Sequence, residues 1–176
     1  MRTGFKPHAE PPGPHLVITG LMGVGKSTTA QAVAARRGLP TRDSDQDILA
    51  LFGRTGAELV AEVGVDELHR IESAVLLGAL ADPTPTVISA AAWVVEDQAC
   101  VEAMARRATV VVLSAPLEEL SSRVITGDHR RTIDPAEWSA LASRREPLFD
   151  AVADLRLETT SPTDQLAEAI DRFLDG

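Results

Sequence analysis

Residues 20–27 read Gly20-Leu21-Met22-Gly23-Val24-Gly25-Lys26-Ser27, a complete Gly-x-x-x-x-Gly-Lys-Ser pattern, and it constrains the fold more than any other feature of the chain. Leu16-Val17-Ile18-Thr19 before it reads as a strand, and a helical stretch after it runs through 30–37. Each part of such a loop has a physical task. Glycines let successive backbone N–H groups turn inward and form a nest for phosphate oxygens, which side chains would obstruct. The following helix adds the positive end of its dipole. In this pattern Lys26 reaches the β- and γ-phosphates and the Ser27 hydroxyl coordinates Mg²⁺. A chance glycine turn would not need a strand on one side and a helix on the other. The expected nucleotide-binding set is Gly20, Met22, Gly23, Val24, Gly25, Lys26, Ser27 and Thr28.

The rest of the chain alternates in the same way. Gly38 stops the first helix and Pro40 prevents its resumption; a short segment at 40–42 leads into Asp43-Ser44-Asp45. Helical patterns cover about 45–52, 56–62 and 65–81, ended by Pro83 and Pro85. Strands are expected at 86–89, 109–114 and 154–158, and helices near 95–106, from Pro116, at 135–150 and at 164–174. Such alternation implies a parallel sheet covered on both faces, with ligands at the strands' carboxyl edge. That edge should carry the glycine loop, the Asp43–Asp45 turn, residues 89–93 and the start of a polar, charged loop at 126–134. Residues 1–14, with Pro7, Pro11, Pro12 and Pro14, read as a flexible leader before one domain at 15–176.

Composition narrows the function. Apolar runs are strand-sized, far below the ~20 residues that span a bilayer, and the amino terminus has no secretory pattern, so a cytoplasmic location is expected. The net charge of −9, from 17 basic and 26 acidic residues, argues against non-specific nucleic-acid binding. Cys100 is the single cysteine; on an apolar helix face it reads as a core residue, and it excludes a disulfide framework or thiolate metal cluster. No Asn-Lys-x-Asp guanine-reading motif appears.

The loop through Thr28, then Asp43-Ser44-Asp45, Arg54-Thr55-Gly56, Arg70-Ile71-Glu72 and Arg144-Arg145-Glu146-Pro147-Leu148-Phe149, resembles shikimate kinase in order and spacing. The resemblance covers nearly all of the chain after the leader. It implies a P-loop NTPase fold of three α/β/α layers, with a five-stranded parallel sheet in order 2-3-1-4-5, substrate-binding helices and a mobile lid. It also implies ATP as phosphoryl donor, Mg²⁺ as cofactor and a small hydroxylated molecule as acceptor. By the same resemblance Asp43 helps hold Mg²⁺ through water, and Asp45 binds the reacting hydroxyl and accepts its proton. Two carboxylates at i and i+2 after a strand can reach one edge; the alternative for them is helix capping. Within 126–134, Arg131 matches the lid arginine that closes on the phosphates, with Arg130 the adjacent alternative and a solvated surface charge the plainer one. Arg145 matches an arginine that binds the substrate carboxylate.

Two departures stand out. Where the family has three glycines after the third strand, this chain has Ala90-Ala91-Ala92 and then Trp93, whose methyls narrow the pocket floor and make positive φ costly. Where the family has an arginine before Arg-Ile-Glu, this chain has His69; Arg70 cannot replace it, since helix neighbours point about 100° apart. His69 is a weak, pH-dependent partner for a carboxylate but suits a neutral hydroxyl. The expected acceptor-binding set is therefore Asp45, His69, Ala91, Ala92 and Arg145. Three readings follow: a monomeric shikimate kinase-like enzyme, a kinase of another polyol or sugar acid of gluconate type, or a nucleotide-binding module without turnover.

Overall fold

The computed structural model describes residues 14–125 and 134–176. Strand β1 (His15–Gly20) is buried along its whole length and lies at the centre of a five-stranded, all-parallel sheet of order β2-β3-β1-β4-β5. Its partners are β3 (Val87–Ser89) on one side and β4 (Ala108–Ser114) on the other, with β2 (Thr41–Asp43) and β5 (Leu155–Glu158) at the edges. Val110 to Leu113 are all buried, without the alternation of a half-exposed sheet, because helices cover both faces. Three-layer α/β/α architecture and strand order are as the sequence implied.

Helix α1 (Lys26–Arg37) packs on α8 (Thr163–Asp175), and Arg36 and Arg37 hydrogen-bond Asp171 across that seam. Leu76, Leu80 and the fully buried Met104 and Cys100 join the sheet's apolar face from α4 (Val65–Ala81) and α5 (Gln98–Arg107). Each fully buried Leu, Ile or Val contributes about 1.5–3 kcal/mol of transfer free energy to such a core. A second, small cluster of Ile48, Leu59 and Val75 holds α2 (Ser44–Phe52) and α3 (Gly56–Val63) onto α4. Those three helices form a unit beside the sheet's carboxyl edge.

Local signals decide the boundaries. Thr55 and Glu58 close a capping box at α3, and Asp134 caps α7 (Pro135–Val152), whose first residue is proline. Pro147 lies inside α7; the amide it lacks would have served the carbonyl of Ser143, which is exposed and can bond water. The helix expected near 95–106 is two pieces. Ala92–Glu96 is a 3-10 turn, and the Asp97 carboxylate accepts from the amides of Ala99 and Cys100 to start α5 afresh. Burial pushes the Cys100 thiol up to about 11, which fits its reading as an inert core residue. Helix α6 (Leu117–Ile125) precedes the segment that carries Arg130 and Arg131, and both arginines lie outside the described residues. Among the described residues, no helix is long and apolar enough to cross a membrane.

Candidate active site

Register places the site. Ile18 of β1 pairs with Ser89 of β3, and Ser89 pairs with Asp43 of β2, so three strands end side by side where the glycine loop begins. A Cβ on Gly20 would meet the carbonyl oxygen of Leu113 at 2.3 Å, so only glycine lets the loop leave β1 this close to β4. Gly25 turns the chain at φ 97° into α1, which starts without a side-chain cap and without an acidic residue in its first turn. That bare, positive helix end suits phosphate oxygens. The Val24 side chain is buried in the core, so only its backbone faces the loop, and Met22 also packs against that core.

Lys26 Nζ donates to the carbonyls of Gly20 and Leu21, both at 3.1 Å, so its ammonium lies over the loop. Ser27 and Thr28 are exposed on the first turn of α1. Ser27 Oγ donates to Asp43 Oδ2 at 2.5 Å and lies 3.5 Å from Ser89 Oγ. The other Asp43 oxygen accepts from the amides of Asp45 and Gln46, capping α2. Capping and site chemistry are thus two ends of one carboxylate. The hydroxyl and carboxylate oxygens of Ser27 and Asp43 are hard donors of the type Mg²⁺ prefers, and they stand beside the anion-binding helix end, so these residues fit a magnesium nucleotide.

Asp45 is exposed in the first turn of α2, two residues past the strand end. Across from it, burial pushes the Glu72 carboxyl up to about 7, and Asp45 adds to the rise while Arg145 and Lys26 oppose it. Glu72 is therefore in electrostatic reach of the expected acceptor residue, the phosphate lysine and the α7 arginine together. Sequence reasoning did not single it out as a site residue. The available signal was its position on the apolar stripe of α4 that includes Leu68, Val75, Leu76 and Ala79, where a carboxylate is out of place.

The expected acceptor residues lie on or next to elements that pack together, α2 on α4 and both α4 and α7 on the Ala92–Glu96 turn, and several have unexpected partners. Arg145 is 6% exposed, and its Nε donates to Glu96 Oε1 at 2.5 Å; Arg144 donates to the same oxygen at 3.0 Å. Burial pushes the Glu96 carboxyl upward, but the two arginine hydrogen bonds outweigh it and hold the group below the usual carboxylate range. His69 stacks flat on Trp93, with ring centroids 3.8 Å apart and planes 1° from parallel. Arg70 pairs with Glu67 at 2.8 Å and is largely exposed. The alanines cause no strain: Ala91 has φ −59°, and among the described residues positive φ occurs at glycines alone. Ala90 N donates to the Ile18 carbonyl, which ties this floor to β1. Asp66, His69, Arg70, Ser73, Trp93 and Asp97 line a cavity of about 190 Å³ beside the stack.

Known proteins identify the family of the chain. The family model for shikimate kinase matches residues 22–175. A shikimate kinase of Caulobacter vibrioides is 33% identical over 148 residues, covering 82% of this chain and 73% of that one. One from Paramagnetospirillum magneticum is 32% identical, covering 93% and 84%. Among solved structures, shikimate kinase from Acinetobacter baumannii in complex with shikimate superposes with a TM-score of 0.85 at 23% identity, covering 92% of this chain and 93% of that one. A gluconokinase from Sinorhizobium meliloti shares the fold more distantly, at a TM-score of 0.63 and 18% identity, covering 93% and 94%. With sequence, sheet order and phosphate loop in agreement, the chain belongs to the shikimate kinase family, small-molecule kinases that phosphorylate an alcohol group.

Proposed function

We propose that this kinase transfers the γ-phosphoryl group of Mg-ATP to a hydroxyl of a small acceptor seated between α2, α4 and the Ala92–Glu96 turn. The observation that carries the reading is the Lys26, Ser27, Asp43 and Asp45 set at one sheet edge, with Ser27 and Asp43 joined at 2.5 Å beside an uncapped helix end. Ser27 and Asp43 would hold Mg²⁺, the second through water, and the bound ion would neutralise charge on the phosphates. Lys26 leaves its loop carbonyls for the phosphates. Asp45 orients the acceptor hydroxyl and accepts its proton, with Glu72 the neighbouring carboxyl behind it. Arg131, or Arg130 beside it, closes on the phosphates and helps exclude water, a role supported by the family resemblance. His69, Ala91, Ala92 and Arg145 border the acceptor. The protein works here by positioning and electrostatics, as phosphoryl transfer requires. The same reading expects a cytoplasmic monomer.

Coupled ADP release with Mg-ATP tests it, with and without shikimate, gluconate and a panel of uncharged polyols. Release stimulated by an acceptor and abolished by EDTA is the expected result. Tight ATP binding with no stimulation by any acceptor would mean a nucleotide-binding module without turnover.

A further inference from the structure

Arg145 is the only buried guanidinium among the described residues, and the way it is held bears on what it can do for an acceptor. Its Nε donates to Glu96 Oε1 at 2.5 Å, and Arg144 donates to the same oxygen through Nη2 at 3.0 Å. A guanidinium is a planar fork, with one N–H at Nε and the others at its terminal nitrogens. Glu96 therefore engages the stem side of the fork. The terminal N–H groups of Arg145 make no hydrogen bond among the described residues. Nor are they sealed off, since the enclosed side-chain atoms left without a partner there are His15 Nδ1, Ser73 Oγ and Trp138 Nε1. An open fork end of this kind matches the two oxygens of a carboxylate. The charge of Arg145 acts on Glu72 together with those of Asp45 and Lys26, so it is in electrostatic reach of the transfer residues.

A carboxylate bonded to an arginine would ordinarily cancel the charge that attracts an acid. Here two guanidiniums, +2, share one carboxylate, −1, so the trio keeps a net charge of +1. Arg144, with its side chain 58% exposed, is the compensating partner, while Arg145 and Glu96 are 7% and 14% exposed. Low exposure bears on geometry as well. Arginine has a long, rotatable stem, and ordering it when a ligand arrives weakens binding. A stem already fixed by a charge-assisted bond from Nε has lost that freedom beforehand. His69 stands where the family has an arginine, and its ring is stacked on Trp93. Recognition of an acid then falls more heavily on Arg145, whose orientation matters correspondingly more.

We propose that Glu96 is a positioning residue for acceptor binding: it fixes Arg145 through Nε so that the terminal N–H groups stand ready for a carboxylate, and Arg144 offsets its charge. The inference rests on the kinase reading above, and its test separates the two. Binding of shikimate and of its methyl ester, which differ in the one charge, is measured by calorimetry. The protein is saturated with Mg²⁺ and a non-hydrolysable ATP analogue. Glu96→Gln and Glu96→Ala both lack the carboxylate charge, but the glutamine keeps an oxygen to accept from Nε and the alanine does not. The comparison between them isolates orientation from charge. Glu96→Ala is expected to bind shikimate at least about tenfold more weakly than Glu96→Gln, with the ester equal in the two within about threefold. The ATP analogue should bind both variants alike, and Glu96→Gln should keep the wild-type preference for acid over ester. Equal shikimate affinity in the two variants overturns the proposal. So does a loss in Glu96→Ala that is the same for acid and ester, which would mark Glu96 as a structural residue only. A wild type that binds the acid no more tightly than the ester overturns it as well. Phosphorylated product with true ATP is read in parallel. The expected binding pattern without product would sink the kinase reading and leave the role of Glu96 standing.

Discussion

Glu72 shows how one side chain can be read from two directions. Its carboxyl titrates near 7 in the folded chain against an ordinary value of 4.5, because burial and Asp45 oppose its charge. The folded state therefore binds that proton more tightly than the unfolded one. Stability is unaffected below pH 4.5, falls as pH rises to about 7, and is constant above it. The separation corresponds to about 3 kcal/mol at most. Glu72→Gln is expected to raise unfolding free energy at pH 8 by up to that amount and to converge with the wild type near pH 4.5. Urea titrations at pH 8 and pH 5 check this; equal gains at both would remove the burial argument. Lys26→Met, with unchanged circular dichroism, is expected to lower kcat by about 10²–10³-fold if, as proposed, it removes a donor to developing phosphate charge. The place of Lys26 at the start of α1 was legible from spacing alone. Glu96 was not: its partner is 49 residues away, and no local pattern marks a carboxylate after Val94-Val95 as the ligand of an α7 arginine.

At the scale of elements, Asp43 joins two functions that mutation can separate. It caps α2 through one oxygen and holds Ser27 through the other. Asparagine keeps a capping oxygen but loses the charge; alanine loses both. Activity is expected to fall in both variants, while Asp43→Ala alone costs about 1 kcal/mol of stability. Thermal denaturation alongside the ADP assay distinguishes them, and equal stability of the two variants would assign the capping bonds no weight. Elements with strong end signals, such as α3 with its capping box and α7 with Asp134 and Pro135, were readable in the sequence. The 95–106 stretch was misread as one helix because its apolar period continues through Asp97. The break comes from that side chain turning to cap α5.

The whole molecule is a sheet whose carboxyl edge collects residues from β1, β2, β3 and the helices between them. Layering was legible because buried parallel strands read as unbroken apolar runs, whereas the strand order was implied by the family resemblance alone. Contacts between distant elements were not. A ligand that binds the folded edge stabilises the entire domain. Mg-ATP at 100 times its Kd is expected to add about 2.7 kcal/mol, seen as a rise of several degrees in Tm that Lys26→Met diminishes. The stack of His69 on Trp93 has an optical consequence. The chain has no tyrosine and two tryptophans, and the second, Trp138, is buried in the core at 3% exposure. Ultraviolet emission thus arises from one indole fixed in the interior and one pressed against an imidazole that lines a surface cavity. Arrival of a molecule beside that stack changes the Trp93 component and leaves the buried Trp138 as a reference, so the native chain carries its own fluorescent reporter with an internal standard.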